Sequence, residues 1–364
     1  MIIPIKPWLD LATESGGSFE RPTSSRSGLV LASNWESWEW NLGVRDARPG
    51  LYENVAAHRM DFYHEPILAE EILEAMRPLE GKQIFDGTLG GGGHSELFLR
   101  HGAHVIGCDQ DDEALAHATE RLGGFGDAFL PVRGNFRDID ALLANLGIGQ
   151  IDGILLDLGV SSRQLDNAAR GFSFREDGPL DMRMDRSAPF SARDLVNGWD
   201  EAELARIFRE YGEERHAARV ARTIAKAREA ESIETTSALA DLVAGVVPKT
   251  SGRHPATRVF QAIRIAVNGE LEALETALEK SVDLLVPGGV LAILSFHSLE
   301  DRIVKRFMHR RSNPFVDRPE WTEPRPNPDF AFYLPSRRAI APGPDECDRN
   351  PRSRSAKLRI AKRA

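Results

Sequence analysis

A chain of 364 residues with 41% hydrophobic and 28% charged side chains can form one large domain with an insertion or two of ordinary size, and this balance excludes a disordered or fibrous protein. No apolar run approaches the ~20 residues that span a bilayer, and Pro4, Pro7 and Asp10 interrupt the N-terminal apolar group before a signal-peptide core forms, so a cytoplasmic protein with no membrane partner is expected. The net charge of −9 hides an asymmetry: from His297 onward 16 Lys+Arg face 9 Asp+Glu, a local +7 on a body of −16, which leaves open a phosphate-reaching segment or a solubilising tail.

Residues 1–59 mix Gly, Ser, Pro and Arg with four of the six tryptophans and show no periodicity, so they read as an N-terminal extension of uncertain order. After Met60, Ile67, Leu68, Ile72, Ala75 and Met76 share one face of an expected helix. Strands are then expected over 83–86, 103–109, 128–133 and 153–157, with a glycine loop and a helix from about His94 after the first and a helix from Asp111 after the second. This β-α-β-α-β order calls for a parallel sheet with right-handed crossovers. The alternation stops beyond 165: residues 171–185 read as a loop, and 201–231 and 236–247 as helices. An amphipathic helix bearing Leu271, Leu274, Leu278 and Leu285, a Pro287-Gly288-Gly289 turn and a strand over 290–296 resume the sheet pattern. The expected fold class is therefore α/β, a Rossmann-like, mostly parallel sheet built from 60–165 and 266–364, with an all-helical subdomain over 166–265 inserted for substrate recognition. Cys108 and Cys347 have no metal or disulfide spacing, and no metal site is proposed.

The stretch Asp86-Gly-Thr-Leu-Gly-Gly-Gly-Gly-His-Ser95 lies between a strand and a helix, where backbone N–H groups meet an anion or carboxylate at a helix N-terminus. Asp109 ends the next strand, where a carboxylate accepts hydrogen bonds from both ribose hydroxyls. A nicotinamide or flavin site is the competing reading, but Gly-x-Gly-x-x-Gly is absent: the sixth position counted from Gly90 is Ser95. The pattern Asp86-x-Thr88-x-Gly90-x-Gly92 instead resembles the first motif of class I methyltransferases, which implies S-adenosylmethionine (SAM) as cofactor. Phe136, after the third strand, either covers the adenine face or fills the core. Asp157, at the end of the fourth strand with Gln164 seven residues on, either accepts the N–H bonds of an exocyclic amine, localising its lone pair and helping remove a proton, or only binds cofactor or caps a loop.

On the substrate side, Phe172 or Phe174 in the 170–185 loop is a candidate to stack on an extruded base, and Arg175 and Arg183 to meet phosphates. Arg215, Arg219, Arg222 and Lys226 recur at spacings of four, three and four, which predicts one basic helix face unless Glu213 and Glu214 pair with it. Arg258 in His254-Pro-Ala-Thr-Arg258 and His297 at the carboxyl edge are further candidates for RNA contact. Ser298 with Asp301 has capping-box spacing, and the helix that follows carries Arg302, Lys305, Arg306, Arg310 and Arg311.

Residues from about 60 to 364 closely resemble the bacterial small-subunit ribosomal RNA cytosine-N4 methyltransferases, the RsmH (MraW) family. The resemblance rests on the glycine stretch above together with Asp157-Leu-Gly-Val-Ser-Ser162, Arg170-Gly-Phe-Ser-Phe174, Gly178-Pro-Leu-Asp-Met-Arg-Met184, Tyr211-Gly-Glu-Glu-Arg215, His254-Pro-Ala-Thr-Arg258 and Ser295-Phe-His-Ser-Leu-Glu-Asp-Arg302. It implies SAM contacts at Gly92, Gly93, His94, Asp109, Phe136, Asp157 and Gln164, and N4 methylation of a cytidine in the decoding region of 16S rRNA on the assembled small subunit, with a homodimer left open. Many exocyclic-amine methyltransferases carry Asp/Asn/Ser-Pro-Pro-aromatic after the fourth strand, whereas this chain has Asp157-Leu-Gly-Val, so that way of holding the amine does not transfer.

Overall fold

Helix α1 (Ala69–Met76) precedes β1 (Gln83–Asp86), α2 (Gly93–Arg100), β2 (His104–Asp109), α3 (Asp112–Leu122), β3 (Phe129–Arg133), α4 (Ile139–Asn145), β4 (Ile151–Asp157) and the short α5 (Ser162–Asp166). Five helices then follow with no strand between them: α6 (Ala192–Gly198), α7 (Glu201–Glu210), α8 (Ala217–Ala230), α9 (Thr236–Ala244) and α10 (Thr257–Asn268). The chain returns through α11 (Glu270–Leu284) to β5 (Leu285–Ser295) and α12 (Ser298–Ser312). It ends with β6 (Phe315–Val316), β7 (Arg325–Pro326), β8 (Phe332–Tyr333), α13 (Pro344–Arg349) and β9 (Lys357–Arg363). This computed structural model describes residues 66–249, 252 and 254–364, so the N-terminal extension lies outside the described residues. None of the described helices is long and apolar enough to cross a membrane.

The main sheet has seven strands in the order β3-β2-β1-β4-β5-β9-β8. The first five are mutually parallel, and β9 runs antiparallel between β5 and β8. An all-parallel dinucleotide fold would continue with a sixth parallel strand beside β5. The antiparallel insertion gives this sheet the class I methyltransferase form. Alternation along the central strands explains why the sheet is covered on both faces. Phe85, Ile154, Leu156, Leu291 and Ile293 join one core, with α11 and α12, while Ile84, Leu155, Ala292 and Leu294 join the other, with α1 and α2. Each such side chain taken fully from water contributes about 1.5–3 kcal/mol before entropy is counted. A third core holds α6 to α10 together, with Leu195, Leu204, Phe208, Val220, Ile224, Leu239 and Ile263 at its centre.

Three expectations need correction. The helix over 201–231 is two helices: the chain breaks after Glu210, Glu213 takes φ 49°, and α8 starts only at Ala217. A β-carbon on Gly212 would come within 2.6 Å of the Arg258 carbonyl and 2.7 Å of the Phe208 carbonyl, so only glycine fits at this break. The Pro287-Gly288-Gly289 turn lies inside β5 as an irregularity, where Ile151 pairs with Leu285 but Gly153 pairs with Val290. The basic C-terminal stretch is no free tail. Its last residues form β9, with Lys357 and Arg359 both bonded to Asp301 at 3.0 and 2.8 Å.

Candidate active site

The carboxyl ends of β1, β2 and β4 lie side by side, and the glycine loop crosses them. Asp86 is buried at the end of β1, where its carboxylate accepts the Ser95 hydroxyl at 2.7 Å and the Thr88 N–H at 3.2 Å. Asp109 fixes the loop from the next strand: Oδ2 accepts the Gly90 N–H and Oδ1 the Asp111 N–H, both at 2.9 Å. A carboxylate offers about four lone-pair sites, so acceptor capacity remains for a ligand. Gly92 caps α2 with φ 76°, and a β-carbon there would strike Leu122 at 2.8 Å, so conformation and space both require glycine. With no side chain capping α2, its first N–H groups stay open to a ligand. Phe136 follows β3 and is half-buried, with its Cβ 2.9 Å from where a side chain on Gly87 would begin.

Asp157 ends β4, and its backbone N–H donates to Thr88 Oγ1 at 2.6 Å, tying the glycine loop to this strand. Its side chain keeps 27% of its surface accessible, so a ligand can reach it. His94 Nδ1 stands 3.6 Å from Asp157 Oδ2, while Nε2 lies 3.1 Å from the Ile67 carbonyl. Burial holds the imidazole down to about 4 despite that carbonyl, so the ring is neutral at physiological pH. Burial also pushes the Asp157 carboxyl up to about 8, helped by the charges of Asp86 and Glu300. Asp86 and Asp109 are each raised to about 6, again chiefly by burial, against the lowering effect of their hydrogen bonds. Three carboxyls crowded around one loop and reluctant to ionise together favour a ligand that brings positive charge.

Gln164 is buried and largely engaged within the protein. Its side chain accepts the Ser161 N–H at 3.0 Å, closing a capping box, and donates to Asp111 Oδ2 at 2.8 Å, leaving one amide N–H. Asp111 also receives Arg170 Nη1 at 2.7 Å, and Arg170 Nη2 reaches the carbonyls of Arg183 and Met184. This buried clasp joins the strand that carries Asp109 to the 170–185 loop. Its one signal among the residues is the arginine that opens Arg170-Gly-Phe-Ser-Phe174, but no spacing rule pairs it with Asp111.

The substrate-side candidates are placed differently. Phe172 is 7% exposed in the helical core, so it is a packing residue and is not free to stack on a base. Phe174 is half-buried between His254 and Phe260, at ring distances of 4.6 and 4.8 Å. Arg183 is held by Asp181 through two nitrogens and by the Ala188 carbonyl, so its charge is spent within the loop, whereas Arg175 is exposed. Arg219, Arg222 and Lys226 are exposed on α8, but Arg215 precedes the helix and is not part of its face. The carboxylates expected to neutralise them are turned elsewhere. Glu213 bonds Ser298 and Arg302 at 2.8 and 2.9 Å, and Glu214 is buried, accepting the His216 N–H. Arg222 has Glu201 at 3.4 Å. Arg258 is exposed and donates to the Glu213 carbonyl at 3.1 Å.

On α12 the cap is His297, with Glu300 completing the box, so Ser298 is not the capping residue and its hydroxyl is free to meet Glu213. Arg302, Arg310 and Arg311 are paired with Glu213 and Glu279, which leaves Lys305 and Arg306 as the exposed cations of that helix with no ion pair among the described residues. Glu300 accepts the N–H groups of Phe296 and His297 at 2.8 and 3.1 Å, and Arg264 grips Glu270 through two bonds of 2.8 and 2.7 Å nearby.

Comparison with known proteins covers nearly the whole described chain. The model of the MraW methylase family matches residues 61–364. The ribosomal RNA small subunit methyltransferase H of Carboxydothermus hydrogenoformans is 47% identical over 307 residues, 84% of this chain and 99% of that protein. The protein of the same name from Syntrophotalea carbinolica is 50% identical over 308 residues, 83% of this chain and 98% of that protein. With a family match over most of its length and relatives about half identical to it, the chain belongs to the MraW methylase family.

Proposed function

We propose that this SAM-dependent methyltransferase methylates the exocyclic N4 amine of a cytidine in the decoding region of 16S rRNA, on the assembled small subunit in the cytoplasm. The observation that carries the reading is the joining of Asp109, the glycine loop and Asp157 at one sheet edge through the Gly90 and Thr88 hydrogen bonds.

The donor set fits SAM. Asp109 has lone pairs left for the ribose hydroxyls, the open N–H groups of α2 suit the cofactor carboxylate, and the crowded carboxyls suit a cation. When bound, SAM supplies a methyl group already electrophilic on its sulfonium. In this reading Gly92, Gly93 and His94 contact the cofactor, Phe136 flanks the adenine and Gln164 offers its remaining N–H. The protein's task is then to align the amine and take its proton. As the N4–carbon bond forms and the carbon–sulfur bond breaks, N4 loses a proton, and Asp157 is the acceptor at hand. A nearby positive charge lowers the Asp157 pKa, so the bound state holds the carboxylate that the free protein disfavours.

The helical unit over 166–265 is assigned to substrate recognition and 60–165 with 266–364 to catalysis. Arg219, Arg222 and Lys226 on α8, with Arg215 ahead of it and Arg258 beyond, are exposed cations suited to phosphate contacts. Phe174 is the remaining stacking candidate. Incubation with labelled SAM and, separately, small subunits, naked 16S rRNA and duplex DNA tests the reading. Label confined to N4 of one cytidine in small subunits is expected, and no transfer to any RNA overturns it.

A further inference from the structure

The cations at the β9 end of the sheet have no part in the site described above. Asp301, in the first turn of α12, accepts Lys357 at 3.0 Å and Arg359 at 2.8 Å, and Arg359 Nη1 also donates to the Arg337 carbonyl at 3.3 Å. These bonds tie α12, β9 and the turn at 336–338 together. The turn is braced again by the Ser336 hydroxyl, which accepts the Arg338 N–H at 3.1 Å and donates to the Arg338 carbonyl at 3.0 Å. Just beyond it, Ile340 bridges to Leu358 of β9. Arg337 and Arg338 are therefore exposed side chains on a backbone held in place.

On α12, Lys305 lies one helical turn on from Asp301 and Arg306 one turn on from Arg302. Lys305, Arg306, Arg337 and Arg338 are all exposed and have no ion pair among the described residues. Asp301 is shared by Lys357 and Arg359, and Glu213 is taken by Arg302. A positive belt thus stands on a chain whose net charge is −9. Among the described residues the exposed large apolar side chains are Leu130, Leu146, Phe190, Phe315 and Tyr333, none of them on α12 or the 336–340 segment. A protein partner would ordinarily find an apolar core at such a surface. Guanidinium and ammonium groups without one suit phosphate oxygens, which the arginine fork meets in pairs.

The register of the sheet fixes where the belt begins. Leu294 of β5 pairs with Asp157 on one side and with Leu358 on the other. With neighbouring strands about 4.8 Å apart, the start of β9 lies about 10 Å from the strand end that carries Asp157, on the same carboxyl edge. From there the cations continue along α12. We infer that Lys305, Arg306, Arg337 and Arg338 contact the phosphodiester backbone of the rRNA strand flanking the target cytidine, so that the methyltransferase domain holds the RNA together with the helical unit. This inference rests on the rRNA reading above and adds to it a second surface, outside the 166–265 unit.

The test uses the full-length chain and purified small subunits. Replacing Lys305, Arg306, Arg337 and Arg338 together by Gln should make the slope of log affinity against log salt shallower by about 3, at roughly 0.7–0.9 for each lost phosphate contact. A melting temperature and SAM affinity close to the wild-type values show that the variant is folded. A second arm attaches iron-EDTA at Arg338→Cys in a Cys347→Ser background, Cys108 being buried. Hydroxyl radicals released there should cut 16S rRNA in the nucleotides beside the methylated cytidine. An unchanged salt slope overturns the inference. So does the absence of cuts beside that cytidine, and cleavage confined to ribosomal protein would make the partner an acidic protein instead. Both results leave the methyltransferase reading intact, whereas failure of the wild type to methylate small-subunit RNA removes that reading and the inference with it.

Discussion

The cofactor edge and the outer face of α8 solve opposite problems. At the edge, Gly90, Thr88, Ser95, Asp86, Asp109 and Asp157 are locked by bonds of 2.6 to 2.9 Å. On α8, Arg219 and Lys226 are exposed with no ion pair among the described residues, and Arg222 has a single carboxylate at 3.4 Å. A small ligand that must be placed to a fraction of an ångström needs a pre-set cradle. A polyanion met over a wide surface needs charge that can adjust. The contrast implies that damage at the edge should be steep and specific, and damage on α8 shallow and sensitive to salt.

Asp157→Asn is the sharpest way to break this comparison. It keeps the shape but removes the proton acceptor, so single-turnover methyl transfer should fall by about 10²–10⁴, the usual range for a lost general base. SAM affinity by calorimetry should change far less than the rate. Transfer at the wild-type rate would reduce Asp157 to a loop residue and make the edge no more demanding than α8. Arg170→Gln comes next and acts on stability. It strands Asp111 in a site where both partners are at most 4% exposed, and breaking such a pair costs about 3–5 kcal/mol. Urea unfolding measures that loss directly. Arg222→Gln, at an exposed position, should stay within about 0.5 kcal/mol. Similar losses for the two substitutions would deny the distinction between locked and adaptable regions.

The same contrast governs what could be read from residues alone. Strand ends at Asp86, Asp109 and Asp157 were legible because short apolar runs bounded by a polar residue set them locally, and the glycine loop because only backbone can lie where it lies. Phe172 looked like a free aromatic in a charged loop, yet it packs into a core assembled from helices as far along the chain as Ile263. No local pattern announces that. The basic spacing of Arg215 with Arg219 implied one helix, but the helices break between Glu210 and Ala217, where the Arg258 and Phe208 carbonyls leave room only for glycine at 212. Likewise the C-terminal cations could be read as a tail, whereas Lys357 and Arg359 are bonded to Asp301 across α12 and β9. Pairing partners and break points depend on distant sequence, and that is where the expectations failed.

The raised carboxyls give a smaller effect with a definite sign. Asp157 titrates near 8 in the folded chain and Asp86 and Asp109 near 6, against 3.8 for an ordinary aspartate. Between those limits the folded cofactor-free protein holds protons that the unfolded chain has released, so their contribution to stability declines as pH rises from about 4 toward 8. The melting temperature of the cofactor-free protein should therefore fall between pH 6 and 8, and fall less in Asp157→Asn. SAM should release up to about one proton on binding near pH 7, read by calorimetry in two buffers of different ionisation heat. Binding without proton release would mean that the sulfonium does not face Asp157.

The mildest test belongs to α8. Replacing Arg219, Arg222 and Lys226 together by Gln removes three exposed cations without opening the core, so the melting temperature should hardly move. If all three meet phosphates, the slope of log affinity for small subunits against log salt should become shallower by about 2 to 3, at roughly 0.7–0.9 for each lost contact. At low salt the variant should bind visibly less tightly, and at high salt the two proteins should converge. SAM affinity and transfer to saturating small subunits should be preserved, since none of the three reaches the cofactor edge. An unchanged salt slope would show that the α8 face is merely solvated and would move the search for phosphate contacts to Lys305 and Arg306, the exposed cations of α12 without an ion pair among the described residues.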